Sequence, residues 1–170
     1  MPSKFIEPNA LTAVGEFHRT FRLPIVEIPG IPPAERCALR LNLLTEELDE
    51  LRAAINAGDL VEVADALADL QYVLSGAVHE FGLGSRFAAL FDEVHRSNMS
   101  KTCATLDEAE TTLAHYRALG QEGRLEPSGT GYLVYRTADN KVLKNVHYSP
   151  ADLVSIVNRD SHLKPDQPEE

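Results

Sequence analysis

The chain has 170 residues, 44% of them hydrophobic, and a formal net charge of −10 at pH 7. This length predicts one domain with a substantial core, and the acidic balance argues against nucleic-acid or anionic-membrane binding. No segment approaches the ~20 apolar residues of a membrane span. The N-terminus resembles no signal peptide, so we expect a cytoplasmic protein whose two cysteines, Cys37 and Cys103, stay reduced.

Three helices are predicted in the N-terminal half. Apolar residues at helical spacing indicate a first helix near residues 10–21, and prolines keep the following loop out of a helix. A second helix begins at residue 33 or 34 and ends near 57, with Gly58 as its stop. A third begins after Asp59 and ends near 81. The predicted core stripe of the second helix is Leu41, Leu44, Leu48, Leu51 and Ile55.

The stretch from Thr45 to Tyr72 is strongly acidic. It holds eight carboxylates and a single cation, Arg52. On helices of about 3.6 residues per turn, most of these carboxylates fall on one stripe of each helix. The third helix is otherwise mostly Val, Leu and Ala, so we expect it to be largely buried. Six of the eight carboxylates are Glu46, Glu47 and Glu50 on the second helix and Glu62, Asp65 and Asp69 on the third, with Tyr72 one turn further; the other two are Asp49 and Asp59.

Buried carboxylates without counter-charge would cost several kcal/mol each or become protonated. A divalent cation is therefore the predicted missing charge, and an all-oxygen site favours Mg²⁺ or Mn²⁺ over Zn²⁺. A structural alternative exists for Glu62, which could be the capping-box partner of Asp59. Capping does not account for Asp65 or Asp69, which lie further inside the helix.

Four more elements are predicted after the acidic stretch. A fourth helix at about 85–97 ends in the cation-rich segment HRSNMSK, which the helix dipole alone would also favour. A capping box at Thr105 opens a helix to about Leu119, and GYLVYR and KVLKNV predict a hairpin around an ADN turn. A short last helix at 150–158, opened by Ser149 and Pro150, precedes a tail at 159–170 that we expect to be disordered.

The ordered motifs resemble those of the all-α nucleoside triphosphate pyrophosphohydrolases. This superfamily includes MazG-like proteins, dimeric dUTPases and phosphoribosyl-ATP pyrophosphohydrolase. The resemblance is carried by EExxE at Glu46, by ExxD at Glu62, by DLxY at Asp69 and by HRSNMSK. EVADALADLQY, DNKVLK and SPADL are closer still to the small MazG-like branch. The similarity covers about residues 11–100 and resumes in the hairpin.

This resemblance implies an all-α, MazG-like helical bundle with a small C-terminal β-hairpin and a short terminal helix, forming one domain over residues 1–158. It also implies a homodimer or a dimer of dimers. The implied activity is Mg²⁺-dependent hydrolysis of a nucleoside triphosphate to the monophosphate and pyrophosphate, with dUTP as the first substrate to test and nucleotide-pool sanitation as the role. Mn²⁺ is the possible substitute metal.

The resemblance also implies roles for individual residues. The metal ligands would be Glu47, Glu50, Glu62 and Asp65, and Glu46 would orient or deprotonate water beside the catalytic Glu47 and Glu50. The substrate contacts would be Asn98, Lys101, Arg96, Asp69, Tyr72, Phe17, His18 and Lys144, with Lys141 as a further hairpin lysine. The stretch at 102–130 is longer than in compact relatives, which leaves the role of the hairpin open.

Several alternatives remain open from the sequence. The substrate could be phosphoribosyl-ATP, or the chain could be a non-catalytic metal-binding dimer module. A ferritin-like di-iron site requires Glu-x-x-His twice, whereas the nearest match is one Asp92-x-x-His95. Phe17 and His18 could instead be ordinary core residues.

Overall fold

The structure is a computed structural model that describes residues 5–129 and 131–159. This part of the chain forms six helices and one two-stranded sheet, which confirms the predicted helical fold with a hairpin and a short last helix. None of these described helices is long and apolar enough to cross a lipid bilayer. The helices are α1 (Ala10–Thr20), α2 (Ala34–Ala57), α3 (Leu60–Glu80), α4 (Phe87–Met99), α5 (Leu106–Ala118) and α6 (Leu153–Val157), and the strands are β1 (Gly123–Ser128) and β2 (Gly131–Arg136).

The chain divides into two compact units, one ending at Phe87 and the other beginning at Ala88. The first contains α1, α2 and α3, and the second contains the remaining elements. The single domain predicted over residues 1–158 stays a prediction. Of the predicted disordered tail, residues 160–170 lie outside the described residues.

Local signals fix the turn between α2 and α3 as predicted. Gly58 ends α2 with a φ of 69°, a left-handed conformation that glycine adopts without steric cost. The Asp59 carboxylate caps α3 by accepting from the N–H groups of Val61 and Glu62 at 3.0 and 3.2 Å. A connection of two residues makes α2 and α3 an antiparallel helical hairpin, and α1 packs against α3.

Two apolar stripes on this hairpin are exposed, contrary to the prediction. On α2, Leu41, Leu48 and Ile55 are 65%, 48% and 61% exposed, although they were predicted to form the core. On α3, Leu60 and Leu67 are 79% and 52% exposed, so the prediction of a largely buried third helix is wrong for the single chain. The physical reason is that neighbouring helices cover only part of such a long hairpin.

The predicted hairpin is wrong in one of its two strands. GYLVYR is β2, but its partner is GRLEPS, paired antiparallel from Gly123 opposite Arg136 to Ser128 opposite Gly131. GRLEPS was missed because its glycine, glutamate and proline have low strand propensity. KVLKNV makes only an isolated bridge between Tyr135 and Val142.

The ADN turn itself is present. Asn140 has a φ of 58°, and the Asp139 carboxylate accepts from the N–H of Lys141 at 3.2 Å. The turn returns the chain alongside β2, where α5 covers the sheet. The core of this second unit consists of Cys103, Ala109, Leu113, Val134 and Leu143, with Cys103 as a free, buried thiol.

Candidate active site

Three predicted metal ligands line one cleft at the closed end of the α2–α3 hairpin. Glu50, Glu62 and Asp65 border a cleft of about 420 Å³, together with the capping residue Asp59. The remaining lining side chains are alanines of α2, whose small size leaves the space between the helices. These three carboxylates therefore border one cleft, whereas Glu47, the fourth predicted ligand, is not among its lining residues.

Glu47 has the most unfavourable environment of the acidic residues. Its side chain is half-buried, and its Oε2 is buried without any hydrogen-bond partner. Burial raises the pKa of Glu47, and the negative charges of Asp69, Glu50, Glu46 and Asp65 raise it further. A cation beside this carboxylate would relieve both effects.

Neither a neighbouring cation nor helix capping accounts for the acidic residues of the cleft. Arg52, the cation of the acidic stretch, is paired with the exposed Asp49. The N–H of Asp59 donates to the carbonyl of Ala54 at 3.1 Å. Because that N–H is occupied, a capping box does not explain Glu62.

The carboxylates of the predicted metal ligands are the type of oxygen donor that hard divalent cations prefer. Among the side chains of residues 5–129 and 131–159, no three His, Cys, Asp or Glu groups are close enough to hold a metal ion as they are placed. The carboxylates would therefore have to rotate toward one another on binding. An all-oxygen donor set with a partnerless buried oxygen at Glu47 suits Mg²⁺.

The predicted base-contacting residues meet in a second cavity of the first unit. It has a volume of about 250 Å³ and is lined by Phe17, His18 and Tyr72. The rings of Phe17 and Tyr72 meet edge to face with centroids 5.6 Å apart, and they are 37% and 39% exposed. His18 is only 1% exposed, which fits the core-packing alternative as well as a cavity wall.

Two contacts fix the tautomer of His18. Its Nδ1 lies 2.7 Å from the carbonyl oxygen of Pro24, and its Nε2 lies 3.3 Å from Nη2 of Arg40. A carbonyl only accepts and a guanidinium only donates, so Nδ1 carries the hydrogen and Nε2 accepts. Burial lowers the pKa of His18, and this outweighs the opposite effect of the bond to Pro24.

A buried ion cluster beside this histidine was not found from the sequence. Glu80 is 2% exposed and accepts hydrogen bonds from both Arg36 and Arg40. Burial alone would raise the pKa of Glu80, but the two guanidinium groups outweigh it and hold that pKa below its ordinary value. The available signal was a lone glutamate in an apolar segment of α3 and two arginines four residues apart on α2.

We expect the folded state to lose stability as pH falls below 7, with His18 as one cause. The unfolded chain binds a proton at the ordinary histidine pKa of 6.5, whereas buried His18, facing Arg40, His79 and Glu80, binds it only at lower pH. In the His18→Gln variant, the free energy of unfolding should fall less between pH 7 and pH 5 than in the parent protein. Urea unfolding at a series of pH values over this range measures the difference. His115→Gln, at an exposed position, is the control, and an unchanged slope in His18→Gln would contradict the expectation.

Asn98 and Lys101, the predicted triphosphate contacts, belong to the second unit. There the Nζ of Lys101 donates to Oδ1 of Asn98 at 2.7 Å, so both polar groups lie together beside the end of α4. Lys144 instead has its ammonium 4.3 Å from the ring centroid of Tyr148. Binding of phosphate by these three residues stays a prediction.

Arg96, another predicted substrate contact, is engaged in structural interactions. Its Nε and Nη2 donate to Glu93, both at 2.7 Å, and it also donates to Ser149 and the carbonyl of Pro150. The sequence predicted that Ser149 opens the last helix. In the structure, Ser149 instead bonds to Arg96 and holds the chain to α4. The last helix begins three residues after Pro150, where the Asp152 carboxylate caps it.

Comparison with known proteins gives two findings. The sequence model of the phosphoribosyl-ATP pyrophosphohydrolase family matches residues 14–98, which is half of the chain and includes the acidic cleft and the aromatic cavity. An uncharacterised protein of Acanthamoeba polyphaga mimivirus is 31% identical in an alignment of 145 positions, and the match covers 74% of this chain and 58% of the relative. The chain thus spans less than two thirds of that relative. By the family match, the chain belongs to the phosphoribosyl-ATP pyrophosphohydrolase family.

Proposed function

We propose that the protein hydrolyses a nucleoside triphosphate to the monophosphate and pyrophosphate with bound Mg²⁺. The observation that carries this proposal is the uncompensated acidic cluster, above all the partnerless buried oxygen of Glu47 beside Glu50 and Asp65. The other predicted metal ligands, Glu50, Glu62 and Asp65, are exposed, so the cost of burial without a cation falls on the half-buried Glu47. Membership of a pyrophosphohydrolase family supports the same reaction class.

The acidic cluster and the aromatic cavity follow each other along the same two helices. Leu43 lines the cavity and Glu47 lies one turn further on α2, while Tyr72 lines the cavity one turn after Asp69 on α3. A base held in the cavity would therefore leave the phosphates near the carboxylates. This arrangement supports a nucleotide as the substrate.

Glu47, Glu50, Glu62 and Asp65 would hold the metal. Bound Mg²⁺ would neutralise negative charge on the phosphates and activate a water molecule for attack. Glu46, exposed beside Glu50 on α2, would accept a hydrogen bond from the attacking water and orient it.

Four of the predicted substrate contacts would bind the two ends of the nucleotide. Phe17 and Tyr72, whose rings contact each other edge to face, would form an apolar wall against which the base packs. Asn98 and Lys101 would donate to the leaving pyrophosphate and stabilise its developing charge.

We further propose that two copies associate through the exposed apolar stripes. Leu41, Leu48 and Ile55 recur every seven residues on α2, as do Leu60 and Leu67 on α3, and such stripes fit packing against other helices. The Leu41→Glu variant should weaken association at least about tenfold. Light scattering across a concentration series measures this. The neighbouring Asn42→Glu, on another face of α2, should remain associated, and a monomeric parent protein would contradict the proposal.

Pyrophosphate release from a panel of ribo- and deoxyribonucleoside triphosphates tests the reaction. It should be measured with Mg²⁺, with Mn²⁺ and with EDTA, starting from dUTP. We expect metal-dependent release with equimolar monophosphate. Phosphoribosyl-ATP belongs in the panel because its hydrolysis breaks the same type of bond. A metal-dependent rise in melting temperature without turnover of any compound would instead favour the non-catalytic dimer module.

A further inference from the structure

Gly76 lies in the interior of α3, where a glycine is unexpected. Glycine is among the weakest helix formers, and the backbone does not require it here, because Gly76 lacks the positive φ found at Gly58 and Gly82. Gly76 is buried and lines the aromatic cavity together with Phe17 and Tyr72. The reason for a glycine at this position must therefore lie in the packing around it.

Two side chains of the same cavity occupy the space beside Gly76. A Cβ atom added at Gly76 would lie 2.6 Å from Nη1 of Arg40, and contacts below 3.0 Å force a displacement. The same Cβ atom would lie 3.2 Å from Nε2 of His18, which is the atom that accepts from Nη2 of Arg40. A methyl group at this position would thus press against both partners of that hydrogen bond.

Arg40 has little freedom to move away from such a methyl group. It is 7% exposed, and its Nη2 donates to Glu80 as well as to His18. Glu80 is itself held by Nε of Arg36 at 3.0 Å. A displacement of the Arg40 guanidinium would therefore disturb the buried ion cluster and the part of the cavity wall that Arg40 forms.

We infer that Gly76 is a positioning residue, whose missing side chain fixes where Arg40 and His18 lie in the wall of the aromatic cavity. This inference rests on the proposed binding of a nucleotide in that cavity. Gly76 acts through these two side chains, since a glycine offers no side chain of its own to a ligand. Filling this position should weaken nucleotide binding and leave the acidic cleft at Glu50 and Glu62 unchanged, because Gly76 does not line that cleft.

Isothermal titration of the full chain with dAMP, dGMP, dCMP and dUMP in EDTA tests the inference without turnover. For the monophosphate that the parent protein binds most tightly, Gly76→Ala should weaken binding at least about tenfold, as expected for an overfilled site. Gly15→Ala is the matched control. It also adds a methyl group at a buried helical position, 3.2 Å from Nε2 of His79 but outside the cavity, and it should change the affinity less than about twofold.

A double-mutant cycle shows whether the effect passes through Arg40. Arg40→Lys keeps a cation for Glu80 but removes Nη1, the atom closest to the added methyl group. In the Arg40→Lys background, the same Gly76→Ala change should therefore weaken binding less than about twofold. A general loss of α3 structure would instead weaken binding equally in both backgrounds. Urea unfolding of the same four proteins should show the same coupling without any ligand.

The outcomes separate this inference from the proposed function. Unchanged binding in Gly76→Ala, an equal effect in both backgrounds, or no binding of any monophosphate by the parent protein would overturn the role of Gly76. If circular dichroism shows that Gly76→Ala is unfolded, the double variant with Arg40→Lys should fold, and failure of both to fold would also overturn it. If binding depends on Gly76 through Arg40 but no triphosphate is hydrolysed, the inference stands and the proposed hydrolysis fails.

Discussion

The Glu50→Gln variant should lose at least about a hundredfold in the rate of pyrophosphate release while keeping its helical fold. Glu50 lines the acidic cleft with Glu62 and Asp65, and its charge is one of those that raise the pKa of Glu47. Glutamine keeps the length of the side chain but removes the negative charge that would hold the metal. Rates with the triphosphate and metal that give the fastest release in the panel above, together with circular dichroism, measure both parts of the expectation.

Asp49→Asn provides the matched control for this experiment. Asp49 is adjacent to Glu50 on α2, carries the same charge and is paired with Arg52 on an exposed surface. Its neutralisation should leave turnover near that of the parent protein. Equal losses of rate in the two variants would mean that the total negative charge of α2, and not the position of Glu50 in the cleft, determines the rate. Parental turnover in Glu50→Gln would remove Glu50 from the catalytic set.

The sequence predicted best those features that depend on local interactions. The ends of α2 and α3 followed from Gly58 and Asp59, whose roles as a helix stop and a cap involve only residues within one turn. Helical spacing also predicted an acidic stripe on each of the two helices, and because a short turn leaves these helices little freedom, Glu50, Glu62 and Asp65 border one cleft. The metal site itself stays a prediction.

Features that depend on distant partners were predicted poorly. The leucines at 41 and 48 have the spacing of a core stripe, but periodicity does not tell which surface covers them. Arg96 was predicted to contact the substrate from its place in HRSNMSK, and this contact stays a prediction. Its contacts with Ser149 and Pro150, more than fifty residues away, could not be read from that segment. The same holds for β1, whose pairing depends on β2 more than on its own composition.

The buried Glu80 cluster shows why the aromatic cavity was incompletely predicted. Phe17, His18 and Tyr72, which were predicted as substrate contacts, do line one cavity. The arginines that border the same cavity lie one to three turns before the acidic motif on α2, and their partner Glu80 lies at the far end of α3. Only the packing of the two helices brings these charges together.

The Glu80→Gln variant should reduce the free energy of unfolding by about 3–5 kcal/mol, the usual cost of removing one partner from a buried ion pair. Glutamine can accept fewer hydrogen bonds than a carboxylate and would leave the charge of buried Arg40 uncompensated. Urea unfolding at pH 7, analysed with a common m-value, measures the loss. Asp49→Asn, which breaks an exposed pair, should cost no more than about 1 kcal/mol.

The pH dependence of the same variant provides a second, independent readout. The pKa of Glu80 is lower in the folded protein than its ordinary value, so near and below pH 4.5 the unfolded chain binds more protons there. The stability contributed by Glu80 is therefore fully present at neutral pH and is lost as pH falls through the acidic range. Glutamine cannot titrate, so the difference in stability between the parent protein and Glu80→Gln should shrink on acidification. A difference that stays constant from pH 7 to pH 4 would mean that the side chain stabilises the fold by packing alone, without its charge.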